Sequence, residues 1–309
     1  PHLPLVPVYS EFDGYTVETS AKSTAALLSS LTDAFAWQRP DMVLVNHDRR
    51  EVLAAAQAAA YQNIPVAHIG GGEHSGNIDD KVRDAITCLS DRHFPATLQA
   101  AQRVMALLGP RRDGHIEAVG CPSIDLAREA RDTPPVTCEE LGGVGKTLDL
   151  NQPFLLVLKH AETEIPEQAF RQMQTTLNAV RATKLPTLVL WPGSDAGAEG
   201  AAKAIRLHQD EIHTVRTLPP LRFLRLLLQA ACLVGNSSAG IREATYLGTP
   251  VINIGLRQRN RECGKQVIHV PHDFEAIRAA ITHQLSRSYP SDVLYGDGYS
   301  ANRIVAGLL

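Results

Sequence analysis

Short apolar runs and longer amphipathic stretches alternate along almost the whole chain. Eight runs of four to seven residues, rich in Val, Ile and Leu, predict buried strands. These runs cover residues 42–46, 65–70, 93–96, 115–120, 154–160, 187–193, 231–235 and 250–255. The amphipathic stretches predict helices over residues 19–38, 50–62, 79–90, 97–108, 164–183, 198–208, 220–230, 239–248 and 274–286. This alternation is typical of an α/β protein with parallel, doubly wound sheets.

The stretch from 131 to 153 interrupts the alternation. It is polar, rich in Pro and Gly, and lacks a strand pattern, so it predicts a linker between two halves with a ligand cleft between them. We expect domains over 1–135 and 136–295, followed by a C-terminal helix, 296–309, that packs back on the first domain. With 309 residues, of which 44% are hydrophobic, the chain is long enough for two cores.

Composition excludes several classes of function. The net charge of −3 gives no basic surplus for nucleic acid. No stretch approaches the roughly 18 apolar residues of a membrane span, and the first twelve residues lack the pattern of a secretory signal. Five cysteines are scattered and include no CxxC pair, which favours reduced thiols over a disulfide framework or zinc site. We expect a cytoplasmic protein with no membrane or nucleic-acid partner.

The segment Gly235–Glu262 has the strongest local signal for a ligand. A buried strand leads into a small polar turn of Asn236, Ser237 and Ser238, and a helix and a second strand follow. Backbone N–H groups at such a turn suit a phosphate. The loop after the second strand adds three arginines, which are Arg257, Arg259 and Arg261. An ordinary βαβ unit with a capped helix and solvated arginines explains this local pattern equally well.

Two charged residues, Asp48 and Arg49, follow the first predicted strand in the sequence HDRRE. In open α/β sheets, ligands bind at the carboxyl ends of strands. Asp48 could instead cap the following helix, which is a common use of Asp. The segment holds more charge than a cap requires, so we favour a site.

The next predicted strand ends in three glycines, which let a backbone approach a ligand closely. Glu73, Asp79, Asp80 and Arg83 follow, the last three at the start of a helix. Several carboxylates around one ligand can differ in pKa, as acid–base catalysis requires. A capped helix with an i,i+4 pair between Asp79 and Arg83 is the simpler alternative. With Asp48 one strand away, we favour a site.

In the second half, His160 ends a predicted strand and is a candidate proton carrier. A histidine in such a position is also often structural. His68 and His93 lie within or beside apolar strands and are expected in the core. No pair of His, Asp or Glu residues has the close helical spacing of metal ligands, so no metal is predicted.

Six motifs in order resemble the UDP-N-acetylglucosamine 2-epimerase family, specifically its hydrolysing branch, which acts in the synthesis of sialic and other nonulosonic acids. They cover residues 41 to 305. The motifs are HDRRE, HIGGGEHSGNIDDKVRDAIT, HFPAT, VGCPSID, GNSSAGIREA with GTPVINIGLRQRNRE, and YGDGYSANRIV. The resemblance implies two Rossmann-like domains in a GT-B-like arrangement.

The resemblance also implies residue roles. Nucleotide contacts would come from the C-terminal half, with diphosphate and ribose held by Ser237, Ser238, Glu243 and Arg257, beside Gly235 and Asn236. The acid–base set would be Asp48, Asp79, Asp80, Arg83 and His160, with Glu73 as a further candidate. The implied reaction eliminates UDP across C1–C2 of the sugar and then hydrates the glycal with inversion at C2. It requires no nicotinamide, metal or other cofactor.

The chain departs from the family pattern at five positions. Gly70 stands where family members often carry an acidic residue to which a catalytic role is commonly assigned. His47 replaces the usual Gly, Asp84 a His, Cys88 a Lys and Asn260 a Gly. The family's opening strand–helix–strand is also not matched, so we expect a truncated or incompletely recorded chain.

Three alternatives stay open beside a hydrolysing epimerase. A non-hydrolysing epimerase would return the epimerised sugar still attached to UDP. A GT-B glycosyltransferase would need an acceptor, and a non-catalytic UDP-sugar-binding protein would bind without turnover. Three short sequences favour the hydrolysing branch, namely GNSS at 235–238, RQ at 257–258 and IDD at 78–80. An exposed helix face in the first half favours a homo-oligomer, a dimer or tetramer, and the C4 and C6 substituents of the sugar are not fixed by motifs.

Overall fold

The computed structural model describes residues 5–9, 16–76, 78–111, 115–193 and 195–309. The first twelve residues, on which the expectation about a secretory signal rests, lie mostly outside these ranges. Eleven strands occur in the described part, at Val43–Asn46 (β1), Val66–Ile69 (β2), Arg92–Phe94 (β3), His115–Ile116 (β4), Val144–Gly145 (β5), Leu155–Leu158 (β6), Thr187–Leu190 (β7), His213–Val215 (β8), Cys232–Gly235 (β9), Val251–Ile254 (β10) and Val267–Val270 (β11).

Twelve α-helices accompany these strands in the described ranges. They are Val17–Gln38 (α1), Arg50–Tyr61 (α2), Ile78–Leu89 (α3), Leu98–Leu108 (α4), Pro122–Asp132 (α5), Cys138–Leu141 (α6), Ala169–Ala182 (α7), Ala198–Leu207 (α8), Pro220–Gln229 (α9), Glu243–Leu247 (α10), Phe274–Gln284 (α11) and Ser300–Leu308 (α12). All eight predicted strands are present. No helix in the described ranges combines the length and hydrophobicity that a membrane span requires.

The chain forms two compact units. One comprises the described residues up to Gly120 together with Ile304–Leu309, and the other is Cys121–Arg303. The predicted domain limits at 135/136 and 295/296, and the cleft between the domains, stay predictions.

The first unit contains a four-stranded parallel sheet in the order β1-β2-β3-β4. Val43 and Val45 of β1 are buried against α2 and α3, whereas Leu44 between them is 50% exposed. This alternation fits an edge strand whose two faces differ in environment. A second apolar cluster joins Phe94 and Val119 to Ile304 of α12.

The second unit contains a seven-stranded sheet in the order β11-β10-β9-β6-β7-β8-β5. Every pairing is parallel except that of β5 with β8. The strands β7, β9 and β10 are buried along their whole length, as expected when helices cover both faces. Their side chains pack against α7, α8 and α11.

The prediction that residues 131–153 lack a strand is wrong. This stretch contains α6 and β5, and β5 adds an antiparallel edge to the second sheet. Thr137 caps α6 with a reciprocal bond to Glu140. Two-residue strands in Gly-rich sequence carry too few side chains for a periodic signal, which explains the error.

Candidate functional site

The second sheet reverses its strand order between β6 and β9. The chain adds β7 and β8 on one side of β6, and then β9, β10 and β11 on the other. Ligands of open α/β sheets bind at the carboxyl ends of the strands beside such a reversal. His160 follows β6 and Asn236 follows β9, so both predicted residues lie at this point.

Asn236 joins these two strand ends. Its side chain is almost fully buried; Oδ1 accepts the N–H of His160 at 2.7 Å, and Nδ2 donates to the His160 carbonyl at 3.0 Å. The imidazole of His160 accepts the N–H of Gly193 on Nδ1 at 3.1 Å. A ring nitrogen that accepts a hydrogen bond carries no proton, so the proton of neutral His160 is on Nε2.

The serine turn is tighter than predicted. Residues Ser238–Gly240 form a 3₁₀ turn, and the side chain of Ser237 accepts the N–H of Ala239 at 3.3 Å. The α-helix that follows, α10, has only five residues. Its dipole is therefore small, and the polar donors in this region are those of the turn and of nearby arginines.

Buried Arg242 orients this turn by donating to Oγ of Ser238 at 2.9 Å. Gly235, at the end of β9, is needed because a Cβ there would overlap the backbone of Leu158 in β6. Glu243 begins α10, and its Oε2 is buried with no hydrogen-bond partner among the described residues. Buried polar atoms are nearly always hydrogen-bonded, so this oxygen can accept a bond from a donor that the described residues do not supply.

The three predicted arginines have different environments. Arg257 is half-buried; it donates to the Asn236 carbonyl at 3.3 Å and lies 3.9 Å from the carboxylate of Asp195. Arg259 is exposed, and Arg261 is buried. Of the three arginines, Arg257 is therefore the one that contacts Asn236 at the end of β9.

Glu162 anchors the loop that carries Arg257. This buried carboxylate accepts the N–H of Leu256 at 2.9 Å and lies 3.2 Å from Nε2 of His272. Burial would raise the pKa of Glu162, but the contacts with His272 and the Leu256 N–H outweigh it and lower that pKa. The ionised carboxylate holds the backbone immediately before Arg257.

In the first unit, Arg83 brings together Asp48 and Asp80. Arg83 is fully buried in α3, and its guanidinium donates to Oδ2 of Asp48, to Oδ1 of Asp80 at 2.8 Å and to the carbonyl of Glu73 at 2.6 Å. Burial would lower the pKa of Arg83, but the two carboxylates outweigh it and raise that pKa. This permanent cation fixes the carboxylate of Asp48 beside the end of β1.

Asp80 organises the loop before α3. Its two oxygens accept the N–H and O–H of Ser75 and the N–H of Gly76, each at 2.7 Å. Nδ1 of His74 lies 2.5 Å from Oδ2. Burial would raise the pKa of Asp80, but these bonds and that from Arg83 lower it to about 2. Asp80 thus stays ionised with both oxygens occupied.

His68 supports the end of β1 from the neighbouring strand. Nε2 lies 3.0 Å from the carbonyl of His47, and Nδ1 lies 3.1 Å from Oγ1 of Thr87. A carbonyl only accepts, so Nε2 carries the proton and Nδ1 accepts from the hydroxyl. Burial lowers the pKa of His68 to about 4. His68 and His93 are both buried, as predicted.

The three glycines after β2 make room for other parts of the protein. A Cβ on Gly70 would overlap the ring of His47, and one on Gly72 would overlap the carbonyl of Ala100. At Gly71, a Cβ would lie 2.9 Å from Oγ1 of Thr87. Internal packing therefore accounts for the run, and the predicted approach to a ligand stays a prediction.

The other predicted residues of the first unit lie around this cluster. Glu73 is buried, and Asp79 is half-buried in the first turn of α3. Arg49, rather than Asp48, occupies the N-cap position of α2, and its exposed guanidinium pairs with Glu51. Across the described ranges, no three His, Cys, Asp or Glu side chains are arranged to hold a metal ion.

Sequence reasoning missed three residues around these two candidate sites, which are Glu162, Asp195 and Arg242. Asp195 and Glu162 follow the strands β7 and β6, so the rule about carboxyl ends could have found them. Arg242 has no comparable signal, because its role depends on how the serine turn folds.

Comparison with known proteins identifies the class and then the family. A crystal structure of UDP-GlcNAc 2-epimerase from Neisseria meningitidis bound to UDP-GlcNAc superposes with a TM-score of 0.76 at 20% identity, covering 93% of this chain and 81% of that one. The prediction of an α/β, GT-B-like fold with two mostly parallel sheets is thus confirmed.

The sequence profile described as UDP-N-acetylglucosamine 2-epimerase matches residues 6–309. UDP-N,N'-diacetylbacillosamine 2-epimerase (hydrolyzing) of Legionella pneumophila is 33% identical over 287 residues, which are 92% of this chain and 74% of that protein. UDP-N-acetylglucosamine 2-epimerase of Neisseria meningitidis serogroup B is 32% identical over 268 residues, 84% of this chain and 67% of that protein. The chain belongs to the UDP-N-acetylglucosamine 2-epimerase family.

Proposed function

We propose that this protein is a hydrolysing 2-epimerase that converts a UDP-linked 2-acetamido sugar and water into UDP and the free sugar with inverted C2. UDP-GlcNAc and its 4-acetamido-6-deoxy relative are the two candidate substrates. The Legionella relative, whose name specifies a hydrolyzing enzyme, supports the subtype. The observation that carries the proposal is the buried cation Arg83, which fixes Asp48 at the carboxyl end of a strand.

Nucleotide binding is assigned to the second unit. Arg257 supplies a cation, and the turn at Ser237 and Ser238 supplies N–H and O–H donors for the diphosphate. Glu243 has a buried acceptor that suits a ribose hydroxyl. Stabilising the developing charge on UDP lowers the barrier to its departure.

Proton transfer is assigned to Asp48 in the first unit, and His160 in the second unit is a further candidate proton carrier. In the elimination, the C2–H and C1–O bonds break, and UDP leaves as the glycal forms. In the hydration, water adds its oxygen to C1 while C2 receives a proton on the other face. Asp48 is assigned as the proton acceptor of the two paired carboxylates, because both oxygens of Asp80 already accept hydrogen bonds from Ser75, Gly76 and Arg83.

The test is turnover of both candidate UDP-sugars by the intact protein in deuterated buffer. Phosphorus NMR follows free UDP, and proton NMR follows the sugar. We expect free UDP, a free manno-configured sugar and deuterium at C2, with no acceptor added. Epimerised sugar still joined to UDP would show the non-hydrolysing reaction, and UDP release only with an added acceptor would show a glycosyltransferase. Saturable binding of both substrates without turnover would show a binding protein.

A further inference from the structure

His47 has an unusual backbone conformation for its place in the fold. In the described part of the chain, four residues other than glycine have a positive φ, namely Arg39, His47, Asn63 and Lys184. Arg39 is the C-cap of α1, and Asn63 and Lys184 each lie two residues beyond a helix. A left-handed residue is the ordinary way to end a helix. His47 instead follows a strand, with φ 65°, so helix termination does not explain it.

The ring of His47 occupies the space of a side chain at position 70. In the parallel pairing of β1 and β2, Asn46 lies opposite Ile69, and the N–H of His47 extends this pairing to the Ile69 carbonyl at 2.8 Å. A Cβ on Gly70 would lie 2.7 Å from Cε1 of His47 and would overlap Nδ1. The imidazole that follows β1 thus fills the space that a side chain following β2 would occupy.

The surrounding structure holds this conformation in place. The carbonyl of His47 receives a hydrogen bond from Nε2 of His68, which is fully buried and bonded in turn to Thr87. A glycine would adopt the same backbone without strain. Strained residues that are held in this way cluster at functional sites.

The position is also chemically suited to the candidate site. His47 is half-buried and immediately precedes Asp48, whose carboxylate Arg83 holds. The proposed reaction moves several protons, since C2 loses one and gains one on the other face, and the water that adds to C1 loses one. Both oxygens of Asp80 are already occupied, and an imidazole beside Asp48 is the side chain best matched to proton transfer at neutral pH.

We propose that His47 is a proton-transfer residue of this site, which accepts a proton from substrate or water on its imidazole and then releases it. This assignment rests on the proposed function. It also gives a reason for a histidine with φ 65° at a position where glycine would fit without strain.

The test compares His47→Gly and His47→Asn with the wild-type protein by steady-state UDP release and thermal unfolding. Both residues tolerate a left-handed backbone, and neither side chain gains or loses a proton near neutral pH. We expect kcat to fall by roughly 100-fold or more, because general acid–base catalysis contributes on that scale. KM should change less than about threefold, and the unfolding midpoint should not fall. Lys184→Gly is the matched control: it relieves the same strain in the turn between α7 and β7, away from the carboxyl ends of the strands, and should leave kcat unchanged.

A second measurement tests the geometry through Gly70→Ala. The added methyl collides with the ring in the wild-type background, so the unfolding midpoint should fall there by several degrees more than in the His47→Gly background. Equal losses in both backgrounds, or kcat within threefold of wild type in both His47 variants, would overturn the assignment. If the wild-type protein itself releases no UDP from either substrate, the proposed function fails instead.

Discussion

The two units hold their candidate residues by different means. In the first, a buried cation and two carboxylates form the site at the end of β1, an edge strand of the described sheet. In the second, the uncharged Asn236 joins two central strands where the strand order reverses, and the charged groups lie around it. The first site thus depends on ion pairs inside the protein, and the second on a backbone arrangement set by topology.

The largest effect should come from removing the buried cation with Arg83→Met. Asp48 and Asp80 would then be left as poorly solvated anions, so we expect the free energy of unfolding to fall by about 3–5 kcal/mol and UDP release to be lost. Urea unfolding measures the free energy of unfolding, and phosphorus NMR measures the release of UDP. Arg278→Met, which breaks an exposed pair with Glu275, should cost less than about 1 kcal/mol. Similar losses in the two variants would contradict the importance of the buried network.

The next effect is a pH dependence that originates in the first unit. Unfolded His68 binds a proton near pH 6.5, whereas the folded protein does so only near pH 4. The contribution of neutral His68 to the free energy of unfolding is therefore fully present above pH 6.5. It decreases by about 3 kcal/mol as the pH falls from 6.5 to 4. His68→Gln keeps a donor and an acceptor but does not titrate. Its unfolding free energy should decline less than that of wild type over this range, and parallel curves would refute the prediction.

In the second unit, Arg257→Ala should weaken UDP binding while leaving stability nearly unchanged. Hydrogen bonds to charged groups are worth about 1.5–3 kcal/mol, so the dissociation constant should rise roughly 10- to 100-fold. Isothermal titration with UDP measures it. Arg259→Ala removes an exposed arginine two positions away and should change affinity little. Equal losses would place the anion along the loop rather than at the strand ends.

The smallest effect should come from Glu162→Gln. The amide oxygen can still accept the N–H of Leu256, but the charge facing His272 is gone. We expect a loss of about 1 kcal/mol in stability, and a rise of two- to fivefold in the dissociation constant for UDP as the loop before Arg257 loosens. A larger loss than that of Arg257→Ala would mean that the anchor matters more than the arginine.

Much of the fold could be predicted because its strands are nearly continuous apolar runs. β6, β7, β9 and β10 are central and buried, so the periodic signal is strong there. β5, β8 and β11 escaped prediction. They have two to four residues, and all three lie toward the edges of the sheet. Their place in the sheet is set by the neighbouring strand more than by their own sequence.

Less of the site could be predicted from the sequence, because the contacts that form it join residues that are far apart in the chain. Asp48 and Arg83 could each be suggested from position alone, but their contact depends on how α3 crosses the sheet. His47 and Gly70 could only be seen as two separate departures from the family pattern. The register of β1 against β2 makes them one feature, an imidazole lying over a glycine.

The contact between Asn236 and His160 has a consequence for measurement. The amide proton of His160 is shielded by a side chain rather than by a neighbouring strand, and the same asparagine accepts a bond from Arg257 through its carbonyl. The rate at which the backbone N–H of His160 exchanges with deuterium therefore depends on how firmly Asn236 is held. A nucleotide that contacts Arg257 should change that rate, so the exchange of this single amide would report occupancy of the proposed phosphate site.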